Sequence, residues 1–142
     1  MEHYTEFLPI SRADMEARGW DQLDFVVVGG DAYVDHPSFG TAIISRLLEA
    51  EGYKVGVLAQ PRYTDCEDFK RFGKPKYGFF IGGGNVDSMV SHYSVAKIPR
   101  AEDEYSPGGK GGARPDRSAT VYTRLAKQAY PDLPVILGGL EA

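Results

Sequence analysis

The chain has 142 residues, 42% of them hydrophobic and 25% charged, with a net charge of −4. That is the size of one domain, able to bury about two-thirds of its unfolded surface around one core, and the composition excludes disorder throughout. The acidic balance gives no global footprint for nucleic acid. The start "MEHYTEFLPIS" has no secretory pattern and no run approaches the ~20 apolar residues of a membrane span, so a cytoplasmic protein without a membrane partner is expected.

The segment "SRADMEARGW" opens with Ser11 three residues before Asp14, a capping-box-like start to a short helix that Gly19 can end. "LDFVVVGG" is a continuous β-branched run that suits a strand buried on both faces. In "HPSFGTAIISRLLEAEGY", Ser38 is the expected N-cap, Ile43, Ile44, Leu47 and Leu48 fall at helical spacing, and Gly52 is the stop. "YKVGVLAQP" reads as a strand, "DCEDFKRFG" as a short helix, "KYGFFIGGG" as a strand and "NVDSMVSHYSV" as a helix. From Lys97 to Arg117 the periodicity lapses into mixed charge, proline turns and four glycines, which predicts a long loop, mobile or ordered by a partner. "SATVYTRLAKQAYP" then reads as an amphipathic helix and "LPVILGG" as another buried strand.

Strands separated by single helices need right-handed crossovers, which makes the sheet parallel with helices on both faces. The expected architecture is one α/β domain over residues 1–142, a three-layer sheet of flavodoxin-like or Rossmann-like type.

Three predicted strands end in consecutive glycines, and in a parallel sheet those carboxyl ends share one edge, where ligands bind at the switch in strand order. Gly29, Gly30, Asp31, Gly83, Gly84, Asn85, Gly138 and Gly139 are therefore the expected lining of a concave site. Helices starting near Ser38 and Asn85 would aim free N–H groups at it, which suits an anion or the polar edge of a cofactor. The competing reading is that the glycines only make tight turns. Neither G-x-G-x-x-G nor a P-loop is present, which weakens a stand-alone nucleotide- or flavin-binding protein. A glycine stands where a phosphorelay receiver needs an aspartate at the end of its third strand.

Asp31, Asp35 and His36 carry groups for acid/base work or metal binding. Asp35 and His36 are adjacent, however, so extended backbone turns them in opposite directions, and Asp31 equally suits a turn. Ser88 and His92 share a helix face with Asp87 nearby, but no nucleophile elbow accompanies them. The single cysteine, Cys66, sits among acidic neighbours that disfavour thiolate and reads as an inert thiol.

Taken in order, "FLPISRADMEARGW", "GGDAYVDHPSFGTAII", "GGGNVDSMVSHYS", "YSPGGKGGARPDRSATVY" and "PVILGGLEA" closely resemble the amino-terminal region of the YgiQ-type radical SAM proteins. The resemblance implies a cobalamin-binding type of α/β domain preceding a radical SAM barrel, whose C-x-x-x-C-x-x-C motif holds an iron-sulfur cluster that cleaves S-adenosylmethionine. It makes the carboxy-terminal radical SAM domain of the same polypeptide the partner, cobalamin a candidate guest and His36 a candidate cofactor contact, beside Ser38, which is a candidate contact through the helix start expected there. The D-x-H-x-x-G of many cobalamin domains is replaced here by "VDHPSFG", so a cobalt-ligating histidine does not follow from the motif. With one cysteine, this chain by itself holds no such cluster and no catalysis is expected from it alone. The first functional reading is an accessory domain that binds a cofactor or substrate for a radical SAM enzyme. The second is a non-catalytic module that presents a protein or nucleic-acid substrate through the Lys97 to Arg117 loop.

Overall fold

The computed structural model describes residues 7–142. Four parallel strands, β1 (Phe25–Gly29), β2 (Val55–Ala59), β3 (Gly78–Gly82) and β4 (Val135–Gly138), form one sheet in the order β2-β1-β3-β4. Helix α1 (Arg12–Ala17) precedes the sheet, and α2 (Gly40–Ala50) links β1 to β2. A 3₁₀ turn, Glu67–Lys70, lies between β2 and β3, while α3 (Ser88–His92) and α4 (Ser118–Ala129) lie between β3 and β4. The chain leaves β1 in one direction and later passes it in the other, so right-handed crossovers put α2 on one face of the sheet and α4 on the opposite face. This is the expected flavodoxin-like topology, with its strand-order switch between β1 and β3.

Alternation along the strands decides what each face buries. Val26 and Val28 of β1 point with Leu58, Phe79 and Ile81 into the main core, closed by Met15, Phe69, Phe72, Tyr122, Leu125 and Ala126. Helix α4 suits that cover because Tyr122, Leu125 and Ala126 share a buried stripe, while Arg124 and Lys127 face water. Burying one such leucine contributes roughly 1.5–3 kcal/mol. On the other face, Phe25 meets Tyr53 and Phe80 edge-on, with ring centroids 5.2 and 5.1 Å apart. Helix α2 lies over β1 and β2 there, with Ala42 and Ser45 buried.

Several local expectations change. Ser38 does not cap α2, which starts after Phe39 with no side-chain cap. Asp87 caps α3, its carboxylate accepting from the N–H groups of Met89 and Val90, so Asn85 lies upstream of the helix. β4 is not a buried strand, since Ile136 and Leu137 are 49% and 45% exposed. Its apolar run was shared by edge and interior strands alike, and only the position at the sheet's margin separates them. The segment 97–117 contains a 3₁₀ turn, Pro107–Gly109, an isolated bridge between Glu102 and Lys110, and the fully buried side chain of Arg114.

Candidate functional site: a locked edge and an open trough

The parallel register brings the glycine ends of β1, β3 and β4 to one edge, Gly82 standing opposite Gly138. The first two turns are filled by the protein itself. A Cβ on Gly30 would fall 2.1 Å from the Gly83 carbonyl oxygen, so the ends of β1 and β3 touch only because Gly30 carries no side chain. Gly84 has φ +109°, and a Cβ there would lie 2.4 Å from Asp31 Oδ1 and 2.6 Å from Arg114 Nη1.

Arg114 is the group that occupies this space. Its Nη2 donates to Asp31 Oδ1 at 2.8 Å, its Nη1 to the Gly83 carbonyl at 2.9 Å and its Nε to Asp103 Oδ2 at 3.1 Å. Asp31 Oδ2 also accepts from the Asn85 N–H at 2.8 Å, and Asp103 Oδ1 from the Tyr105 N–H at 3.0 Å. One guanidinium thus ties β1, the β3 turn and the long loop together. Burial alone would raise the Asp103 carboxyl, yet the hydrogen bonds from Arg114 and Tyr105 hold it below the usual carboxylate range. Such a buried network favours a unique geometry, and removing one partner strands charge in the interior at a cost of about 3–5 kcal/mol.

A second carboxylate takes the helix starts. Glu141 Oε1 accepts from the Ser88 N–H, and its Oε2 from the Ala119 N–H at 3.3 Å. Asp31 and Glu141 thus take the N–H groups of Asn85, Ser88 and Ala119, while the start of α2 at Gly40 and Thr41, which has no side-chain cap, borders the open space beside them. Sequence spacing hid this: the pairs are separated by 54, 53 and 22 residues.

What stays open is a trough of about 290 Å³ between α2 and the exposed half of the sheet, with Val27, Ile44, Phe80 and Ile136 along it. Asp31, Gly83, Gly84, Asn85, Gly138 and Gly139 line its upper end, together with Gly82 and Thr41. A Cβ on Gly138 would meet nothing within 4 Å. The volume lies at the lower end of small-molecule pockets, and the walls are mainly apolar. The apolar residues of α2, β3 and β4 were visible in the sequence only as ordinary core positions.

The remaining candidates lie elsewhere. Gly29 packs against Thr41, whose Oγ1 would be 2.7 Å from an added Cβ. His36 and Ser38 do not line the trough; His36 sits in a separate surface groove with Asp35 and Pro37. Asp35 is bound by Arg46, whose Nε donates to both carboxylate oxygens at 3.1 and 3.2 Å, and this contact holds the Asp35 carboxyl below its ordinary range. The His36 Nδ1 accepts the Ser38 N–H at 3.1 Å, so the ring is engaged locally and away from the trough.

Ser88, His92 and Asp87 form no triad. The Ser88 hydroxyl accepts from the Ser118 N–H at 3.2 Å, His92 Nδ1 meets Asp116, and Asp87 caps α3. Among the described residues no group of three or more His, Cys, Asp or Glu side chains is placed to hold a metal ion, and no helix is long and apolar enough to cross a membrane.

The domain is of the parallel α/β, flavodoxin-like class, with an apolar recess at the carboxyl edge of its strand-order switch. The model of the family described as radical SAM N-terminal matches residues 7–142, and the chain belongs to that family. It is 60% identical over 137 residues to a UPF0313 protein of Clostridium botulinum (strain Loch Maree / Type A3), a match covering 96% of this chain and 21% of the relative. A UPF0313 protein of Clostridium perfringens (strain SM101 / Type A) is 54% identical over 138 residues, covering 97% of this chain and 21% of the relative. The chain therefore spans about a fifth of the length of these relatives. No solved structure matches it significantly.

Proposed function

We propose that this domain is the amino-terminal accessory part of a cytoplasmic radical SAM enzyme, and that its trough forms one wall of a site completed by the radical SAM domain. The observation that carries the reading is the contrast at one edge: the turns after β1 and β3 are bonded internally through Arg114, Asp31 and Glu141, while the adjoining apolar recess is left open. Such a wall suits the apolar face of a substrate or organic cofactor better than a phosphate. The iron-sulfur cluster and S-adenosylmethionine belong to the longer protein, because Cys66 is the only cysteine here. A cobalamin guest lying against the trough would meet neither His36 nor His92, which do not line it.

Anaerobic purification of the full-length protein with cobalamin available, followed by identification of what co-purifies, tests the reading. Gly138→Leu is the informative variant, since its side chain enters open space. Loss of a co-purified guest, or a raised KM with cluster content unchanged, is the expected result. A variant that retains every guest and turns over normally would remove the trough from function.

The exposed turn at 93–100 favours a second reading as a docking module. Tyr93 and Pro99 bridge, and Val95 and Ile98 stand 103% and 63% exposed beside Lys97 and Arg100. Solvent-facing apolar side chains on a narrow turn suit a protein substrate, and loss of its binding in Val95→Asp would support that role.

A further inference from the structure

We propose that the uncovered half of the α2 face is the seat of a single helix from the polypeptide that follows residue 142 in the longer protein, and that this helix roofs the trough. The inference rests on the proposed composite site and names the element that completes it.

The dimensions set the occupant. α2 covers β1 and β2, which leaves β3 and β4 bare on that face. Two strands about 4.8 Å apart present a strip roughly 10 Å wide, the diameter of one helix. Strands of five and four residues run roughly 13–17 Å, which three helical turns match.

Its chemistry is equally restrictive. Phe80, Ile136 and Ile44 form the strip, and the aromatic group of Phe25, Tyr53 and Tyr77 continues it downward. Among the described residues, Asp31 is the only charged one lining the recess, and it is paired with Arg114. An apolar helix face fits this strip, and an acidic or basic partner finds no counter-charge.

α2 adds one apolar side chain to the strip: Ile44 is 39% exposed and borders the trough, whereas Ile43 and Leu47 line the separate groove beside Asp35 and Arg46. The outer side of α4 is Thr120, Arg124, Lys127 and Gln128. A helix lying beside α2 would cover Ile44 and leave α4 untouched.

The choice of a segment of the same chain over a second copy rests on tethering. About four-fifths of the length of the relatives lies outside the matched region. The bare strand β4 is also the last strand in chain order. A segment attached close to its seat has a millimolar effective concentration, which a second copy does not approach in the cell.

The test is photo-crosslinking in the full-length protein, with p-benzoylphenylalanine placed at Ile136 and, separately, at Ile44. Both side chains are already partly exposed, so the substitutions leave the main core intact. An intramolecular crosslink from both positions to one peptide beyond residue 142, in the monomer band, is the expected result. A crosslink at the mass of a dimer, a crosslink within residues 1–142, or none from either position would overturn the proposal. The crosslink is read without any guest: a ligand-free protein that crosslinks as expected keeps the helix and loses the binding role, while a guest retained without a crosslink does the reverse.

Discussion

The two faces of this sheet are built from the same strands and end differently. Val26, Val28, Phe79 and Ile81 on one side are sealed by α1, the 3₁₀ turn and α4, while Val27, Phe80 and Ile136 on the other are sealed only as far as α2 reaches. The sealed face shows what this chain stabilises for itself. The open face shows what it leaves to another segment, and the glycine edge between them is where the two regimes meet.

The largest effect should come from the lock at that edge. Arg114→Ala leaves Asp31 and Asp103 buried and unpaired, and a loss of about 3–5 kcal/mol is expected from the midpoint of chemical denaturation. A loss below about 1 kcal/mol would mean that the edge relaxes without its guanidinium, and that the two faces are not joined there.

Next in size is the sealed face itself. Leu125→Ala removes a side chain that is 3% exposed, at an expected cost of about 2–5 kcal/mol. That cost should be the same in the isolated domain and in the full-length protein, because its neighbours are all in this chain.

Acid should weaken the lock with a defined sign. The folded Asp103 carboxyl lies below its ordinary value, so its contribution is fully present above about pH 4 and fades as pH falls through the folded pKa. The stability gap between wild type and Asp103→Asn is therefore expected to be widest near neutrality and to narrow in acid. A gap that widens as pH falls would reverse the assignment.

The smallest effect should lie on the open face, and it should depend on context. Ile136→Ala in the isolated domain is expected to cost about 1 kcal/mol or less, since half the side chain already meets water. In the full-length protein the same change should approach about 2 kcal/mol or more, the range of a buried aliphatic truncation. Equal costs in both settings would erase the contrast between the faces.

Much of this was legible in the residues. The β-branched run of β1, the stripe on α4 and the glycine ends of three strands follow from local periodicity, and they suffice for the parallel topology. The candidate site was only half legible, because its decisive contacts are non-local. Arg114 lies in a glycine-rich loop whose composition suggests solvent, and only the fold brings it to Asp31, 83 residues away. Ser38 and Asn85 misled for the complementary reason: each is a good helix starter, but Phe39 and Asp87 hold the positions that cap α2 and α3. His36 is near in sequence to Asp31 and yet lies in another groove.

The separation between Asp31 and Arg114 also bears on kinetics. A chain emerging from its amino terminus presents β1, α2 and β2 first, so the Asp31 carboxylate remains hydrated until residues far downstream arrive. Desolvating the carboxylates and the guanidinium together is then a closing event, after the strands have paired. Contacts made after the transition state slow unfolding and leave the folding rate nearly unchanged. The guanidinium therefore acts chiefly as a latch on the lifetime of the folded domain, and its removal should shorten that lifetime with little effect on how fast the sheet assembles.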